Sequence, residues 1–123
     1  MDPDDALIRR ILVVDDDQNL RKLLLNALGK KGYDCNAFED AETAYDLISR
    51  DAPDLVLCDI SLPGMDGIQF LKKTAEEFPG VEFIMMTGYV SDYSYFDIVQ
   101  AGACDYMTKP FSINSVFARL ERI

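Results

Sequence analysis

Histidine is absent from the 123 residues of this chain. A histidine general base, a histidine metal site and a phosphohistidine carrier are therefore excluded within it. Acid–base or metal chemistry falls to carboxylates, lysine, tyrosine or water. Positive charge is scarce: 12 Lys and Arg stand against 22 Asp and Glu, a net charge of −10. That balance weighs against polyanionic nucleic acid as a direct partner. Cysteine is sparse and odd in number. Cys35, Cys58 and Cys104 have no metal-ligand spacing, and two lie in or beside apolar strand patterns. They read as reduced, mostly packed thiols of a cytoplasmic protein. No apolar run is long enough to cross a membrane. The acidic start, Met1 to Asp5, has the character of neither a signal nor a transit peptide.

About half of the residues are hydrophobic, which suits one globular domain with a real core. Residues 1–8 read as an acidic leader and residues 9–123 as the domain. Short apolar runs at Ile11–Val14, Leu55–Cys58 and Phe83–Met86 are expected to be buried strands. Tyr33, Cys35 and Ala37 alternate with Asp34 and Asn36, as in a half-exposed edge strand. Asp105–Met107 is a short fifth strand. Helical stripes fall between them. The first is Leu20, Leu23, Leu24, Ala27 and Leu28, ended by Gly29 to Gly32. The second is Ala41, Ala44, Tyr45 and Ile48, and the third is Ile68, Leu71, Ala75 and Phe78. A fourth helix runs roughly from Asp92 to Ala101 with Phe96 turned to the core. The last stripe is Ile113, Val116, Phe117 and Leu120.

Five βα units in regular alternation predict an α/β fold: a doubly wound parallel sheet with five helices on its two faces. The purely apolar strands belong in the centre and the mixed ones at the edges. The order 2-1-3-4-5 meets that requirement and places a topological switch point between strands one and three. It also gathers the residues at the C-terminal strand ends: Asp15 and Asp16, Asp59, Thr87 and Lys109. Crowded carboxylates repel by about 4 kcal/mol per close pair at an effective dielectric near 20. A hard divalent cation relieves this, and an all-oxygen set with few carboxylates suits magnesium. Lysine and threonine add a charge and a hydroxyl for phosphoryl oxygens. The set is what phosphoryl transfer to a carboxylate requires.

These residues carry a resemblance. Ile11–Asp16, Asp54–Asp59, Leu62–Gly67, Met85–Gly88 and Gly102–Phe111 stand in the order and spacing of the receiver domain of bacterial two-component response regulators. The likeness covers nearly all of residues 9–122. It implies a flavodoxin-like fold and a phosphorylation-dependent signalling switch, not an enzyme in its own right. By resemblance, Asp59 accepts a phosphoryl group from the phosphohistidine of a sensor histidine kinase or phosphotransfer protein. Asp16, Asp59 and the Ser61 backbone carbonyl hold Mg2+ (or Mn2+), and Asp15 reaches it through water. Thr87 and Lys109 bind the phosphoryl oxygens, Lys109–Pro110 is cis, and Tyr106 is the aromatic that changes rotamer. The output surface is the fourth helix, fifth strand and fifth helix, with Tyr95, Val99 and Tyr106 facing a second copy or an output domain. Ser61 and Tyr89, each two residues after a key residue (Asp59 and Thr87), stand where such domains set how water reaches the acyl phosphate, and the family pattern does not fix either, so phosphoryl lifetime is open.

Blander readings exist for each residue. The acidic triplet suits a helix N-terminus, and Asp17 is expected to cap the first helix. Asp59 alone would pass for a turn residue, and Lys109 alone for a solvated lysine. Two rival classes fit the sequence less well. A metal-dependent phosphohydrolase with an Asp nucleophile carries Asp-x-Asp after its first strand, as Asp15-Asp16-Asp17 does. Its pattern continues with Thr or Val, whereas Gln18-Asn19 follows here. A flavodoxin-like electron carrier needs a Ser/Thr/Gly-rich phosphate loop, and an acidic triplet repels that phosphate.

Overall fold

The computed structural model describes residues 8–88 and 94–123. Ten elements alternate along it: β1 (Arg10–Val14), α1 (Gln18–Lys30), β2 (Asp34–Phe38), α2 (Ala41–Arg50), β3 (Leu55–Asp59), α3 (Gly67–Glu77), β4 (Glu82–Thr87), α4 (Tyr95–Gln100), β5 (Asp105–Thr108) and α5 (Ile113–Leu120). The strands form one parallel sheet in the order β2-β1-β3-β4-β5, as the distribution of apolar runs predicts.

Alternation along the central strands divides the core in two. Leu12, Val14, Val56, Cys58, Phe83 and Met85 face α2, α3 and Ile98 of α4. Ile11, Val13, Leu55, Leu57, Ile84 and Met86 face Leu24 and Leu28 of α1 and Val116 and Leu120 of α5. Burial of a strand on both faces is what makes its sequence continuously apolar. All five residues of β3 are buried, including Asp59.

Helix starts are set by side-chain caps. Asp17 accepts from the amides of Asn19 and Leu20, so the expected α1 cap is present. Asp40 accepts from Thr43 and Ser112 from Ser115. Asp66 with Gln69, and Ser94 with Asp97, form reciprocal capping boxes, each satisfying two otherwise orphaned amides. Gly32 and Gly102 take positive φ, +97° and +114°, just beyond α1 and α4.

Three expectations are corrected. Phe96 is not core: it is 69% exposed, while Ile98 is 2% exposed. Ser94 caps α4 and so fixes its phase. Residues two apart on a helix point about 200° apart, so seating Ile98 turns Phe96 to solvent. Leu23 is 54% exposed, because the α1 stripe is wider than the face the sheet covers. Only Cys58 is fully buried; Cys35 is half-buried and Cys104 exposed. The expected start of the fourth helix at Asp92, and Tyr89 and Tyr93, lie outside the described residues.

Candidate functional site

The sheet register brings the site together. Val14 pairs with Cys58, Asp59 with Met86, and Thr87 with Thr108. Asp15, Asp59, Thr87 and Lys109 therefore emerge within one residue of each other at the C-terminal sheet edge. This is the crevice where doubly wound sheets bind ligands.

Asp15 is fully buried and Asp59 is 5% exposed, whereas Asp16 is exposed. One carboxylate oxygen from each of the three lies within 4.8 Å of the others. Each buried carboxylate divides its oxygens between backbone and lysine. Asp15 Oδ1 accepts from the Asp17 amide at 2.9 Å, and Asp59 Oδ1 accepts from the Ser61 amide at 3.1 Å. Lys109 Nζ bridges the remaining oxygens, at 2.7 Å from Asp15 Oδ2 and 3.1 Å from Asp59 Oδ2. Its main chain is anchored too: the Lys109 amide donates to the Thr87 carbonyl at 2.7 Å, and the Lys109–Pro110 bond is cis.

Burial, and then the Asp15 charge, push the Asp59 carboxyl up from the ordinary 3.8, against the pull of Lys109 and the Ser61 amide. For Lys109, burial pulls downward but is outweighed by the hydrogen bond and charge of Asp15, with Asp59 adding to them, so the ammonium is raised. Desolvation of a charge and attraction to an opposite charge act in opposite senses, and here each residue has a different winner. Three carboxylates converging on one point, all oxygen donors and one of them in solvent, fit a hard divalent cation that keeps some of its waters. Nothing in the donor set favours a softer metal.

Thr87 is 6% exposed and its Oγ1 donates to the Gly88 carbonyl at 3.2 Å. Ser61 is exposed in the loop after Asp59. Tyr106 pairs across the ladder with Met85 and is half-buried, with its ring 4.8 Å from that of Tyr95. Tyr95 and Val99 are 57% and 44% exposed.

Two contributors escaped the sequence reading. Arg21 Nη1 donates to the Asp15 carbonyl at 2.8 Å, buttressing the acidic turn from the first turns of α1. Gly67 is the other. A Cβ there would lie 2.2 Å from the Asp59 carbonyl oxygen and 2.8 Å from Ile60 Cα, and its amide donates to the Ile60 carbonyl at 2.8 Å. The signal available was the Leu62–Gly67 motif, whose last glycine was quoted for the resemblance but given no packing role.

The fold and pocket define a class: a doubly wound α/β domain whose switch-point crevice holds an acidic cluster bridged by one lysine. Residues 11–121 match the family model described as response regulator receiver domain, and the chain belongs to that family, a signalling domain of two-component systems. It is 38% identical over 112 residues to the DNA-binding transcriptional regulator NtrC of Proteus hauseri, covering 91% of this chain and 24% of that protein. The regulatory protein AtoC of Escherichia coli K12 is 35% identical over 115 residues, 94% of this chain and 25% of its own length. The chain thus spans about a quarter of these curated relatives. Among solved structures, the receiver domain of NtrX from Brucella abortus superposes with a TM-score of 0.84 at 32% identity, covering 91% of this chain and 95% of that one. A CheY-like receiver domain protein from Methanospirillum hungatei gives 0.88 at 31% identity, covering 94% and 92%.

Proposed function

We propose that the domain is a phosphorylation switch in which Asp59 takes a phosphoryl group from a phosphohistidine on a histidine kinase or phosphotransfer protein. The observation that carries this reading is the Asp59 carboxylate: nearly buried, bridged by Lys109 at 3.1 Å, and converging with Asp15 and Asp16 within 4.8 Å. An Asp59 oxygen attacks phosphorus, the P–N bond to the donor imidazole breaks, and the imidazole leaves with its electron pair and is protonated. Lys109 lies against the oxygens that must accommodate the incoming charge, and the Thr87 hydroxyl sits at the adjacent strand end. The Ser61 amide holds the other Asp59 oxygen and so orients the nucleophile. Mg2+ would be held by Asp16, Asp59 and the Ser61 carbonyl, with Asp15 behind it. When bound, it neutralises the carboxylates and offsets charge on the phosphoryl oxygens.

The added charge then draws Thr87 toward Asp59, and Tyr106 moves into the space released. A local electrostatic event biases a two-state element, and shifting it from 1:99 to 99:1 takes about 5.5 kcal/mol of differential binding. The readout is the α4–β5–α5 surface with Tyr95, Val99 and Tyr106, presented to a second copy or an output domain.

The test is covalent. Incubation with Mg2+ and acetyl phosphate should add one phosphoryl mass, and Asp59→Asn should abolish it. A mass shift that persists in Asp59→Asn refutes the assignment. Asp16→Ala should remove Mg2+ binding with little change in melting temperature, since Asp16 is exposed.

A further inference from the structure

α4 is the least secured helix among the described residues. It has six residues, and Ile98 is its only buried side chain. So short a helix does not hold itself together in water. Its first turn is fixed by the Ser94–Asp97 capping box, with bonds of 2.9 and 3.1 Å. Tyr95, the first helical residue, then lays its ring against that of Tyr106 on β5. The centroids are 4.8 Å apart and the planes tilted by 45°, within the range of an attractive aromatic pair. Tyr95 is 57% exposed, and its hydroxyl bonds to no other described residue. The contact is thus a matter of ring on ring. The two tyrosines line an open groove of about 310 Å³ together with Asp105, Met107, Thr108 and Arg119.

We infer that Tyr95 is a positioning residue for the switch, a latch whose ring holds Tyr106 and the first turn of α4 together in the resting state. The inference rests on the phosphoacceptor reading above for its trigger, and on the ring pair alone for the latch. On that reading, the movement of Tyr106 toward Thr87 takes its ring away from Tyr95. The pair therefore stabilises the resting arrangement only, and a contact present in one state biases the equilibrium by its full worth. For an aromatic pair that bias is about two- to tenfold. Breaking the pair also leaves α4 held by Ile98 and its cap alone, so the helix loosens as Tyr106 departs. Elements with few buried contacts are the ones that open locally.

The experiment compares Tyr95→Ala and Tyr95→Phe with the parent protein. Tyr95 is exposed enough that neither change threatens folding. Amide hydrogen exchange at Ile98 and Ala101, which donate to the Ser94 and Asp97 carbonyls, reads the latch in the metal-free protein. The midpoint of a beryllofluoride titration with excess Mg2+, followed at the Ser61 amide, reads the coupling. Tyr95→Ala should speed α4 exchange and lower the beryllofluoride midpoint, each by about two- to tenfold, while Tyr95→Phe matches the parent in both. Parent-like exchange in Tyr95→Ala overturns the latch. Faster exchange with an unmoved midpoint overturns the coupling and leaves Tyr95 a merely structural contact. If the parent fails to take up beryllofluoride at all, the phosphoacceptor reading falls, and the exchange data still decide the latch.

Discussion

Asp59 is ionised at a cost to the fold. Its carboxyl is raised above 3.8 by burial and by Asp15, so the folded protein binds this proton more tightly than the unfolded chain. The penalty is absent below the unfolded value and fully present above the raised one. Asp59→Asn should therefore stabilise the metal-free protein at neutral pH, and the gain should vanish as pH falls below the ordinary carboxylate range. Urea unfolding at several pH values measures this, and a destabilised Asp59→Asn at neutral pH contradicts it. Lys109→Ala should do the reverse. It strips the shared counter-ion from two buried carboxylates, and breaking such a pair costs on the order of 3 kcal/mol. Millimolar Mg2+ should restore part of that loss in the variant. The strand order brought Lys109 to the acidic cluster, but its bond to Asp15 was not legible: Asp15 lies 94 residues away, and nothing local reports which of several carboxylates a four-carbon side chain meets.

At the scale of elements, strands were the most legible. A strand buried on both faces must be apolar throughout, so the central strands announced themselves within a residue or two of their ends. Helices were legible as stripes but not in phase. α4 offers Phe96 and Ile98 as equally apolar candidates, and the choice falls to the Ser94 cap. Caps also make a pH prediction. Asp40 accepts the Thr43 amide, and that bond holds its carboxyl below 3.8. Its contribution is present above the unfolded value and lost as pH falls through the lowered one. Asp40→Asn keeps a neutral cap. The stability difference between parent and variant should therefore shrink between pH 5 and pH 2. A difference independent of pH would mean that the charge at this cap adds nothing.

At the scale of the molecule, the sequence reading reached the fold, the strand order and the acidic crevice, because all three follow from pattern and handedness. It put Tyr95 and Val99 on the outer face of α4 but missed Phe96, which lies there with them; the three are 57%, 44% and 69% exposed in that order. An exposed apolar arc is the kind of surface that protein contacts use, and it supports the output surface proposed above. Sedimentation velocity with Mg2+ and beryllofluoride should show a change in self-association that Val99→Asp together with Phe96→Asp abolishes. Spectral changes confined to the Asp59 loops, with this helix silent, would place the output elsewhere.

Gly64, in the loop after β3, and Gly67, the first residue of α3, differ in how much sequence change each position tolerates. Gly64 sits at φ +71°, and the nearest atom to a Cβ there is the flexible Glu42 Oε2. Its demand is a dihedral that asparagine also meets at modest cost. Gly67 has no such demand. Its obstacle is the main chain of Asp59 and Ile60, which no rotamer can vacate. In a saturation library scored for folding, position 64 should accept asparagine while position 67 accepts no other letter. Gly67→Ala should move the Asp59 carbonyl and be destabilised well beyond Gly64→Asn. Equal melting temperatures for the two variants would show that β3 yields more easily than a packed central strand should. Strand β3 thus fixes a residue identity eight positions downstream of Asp59, by contact alone.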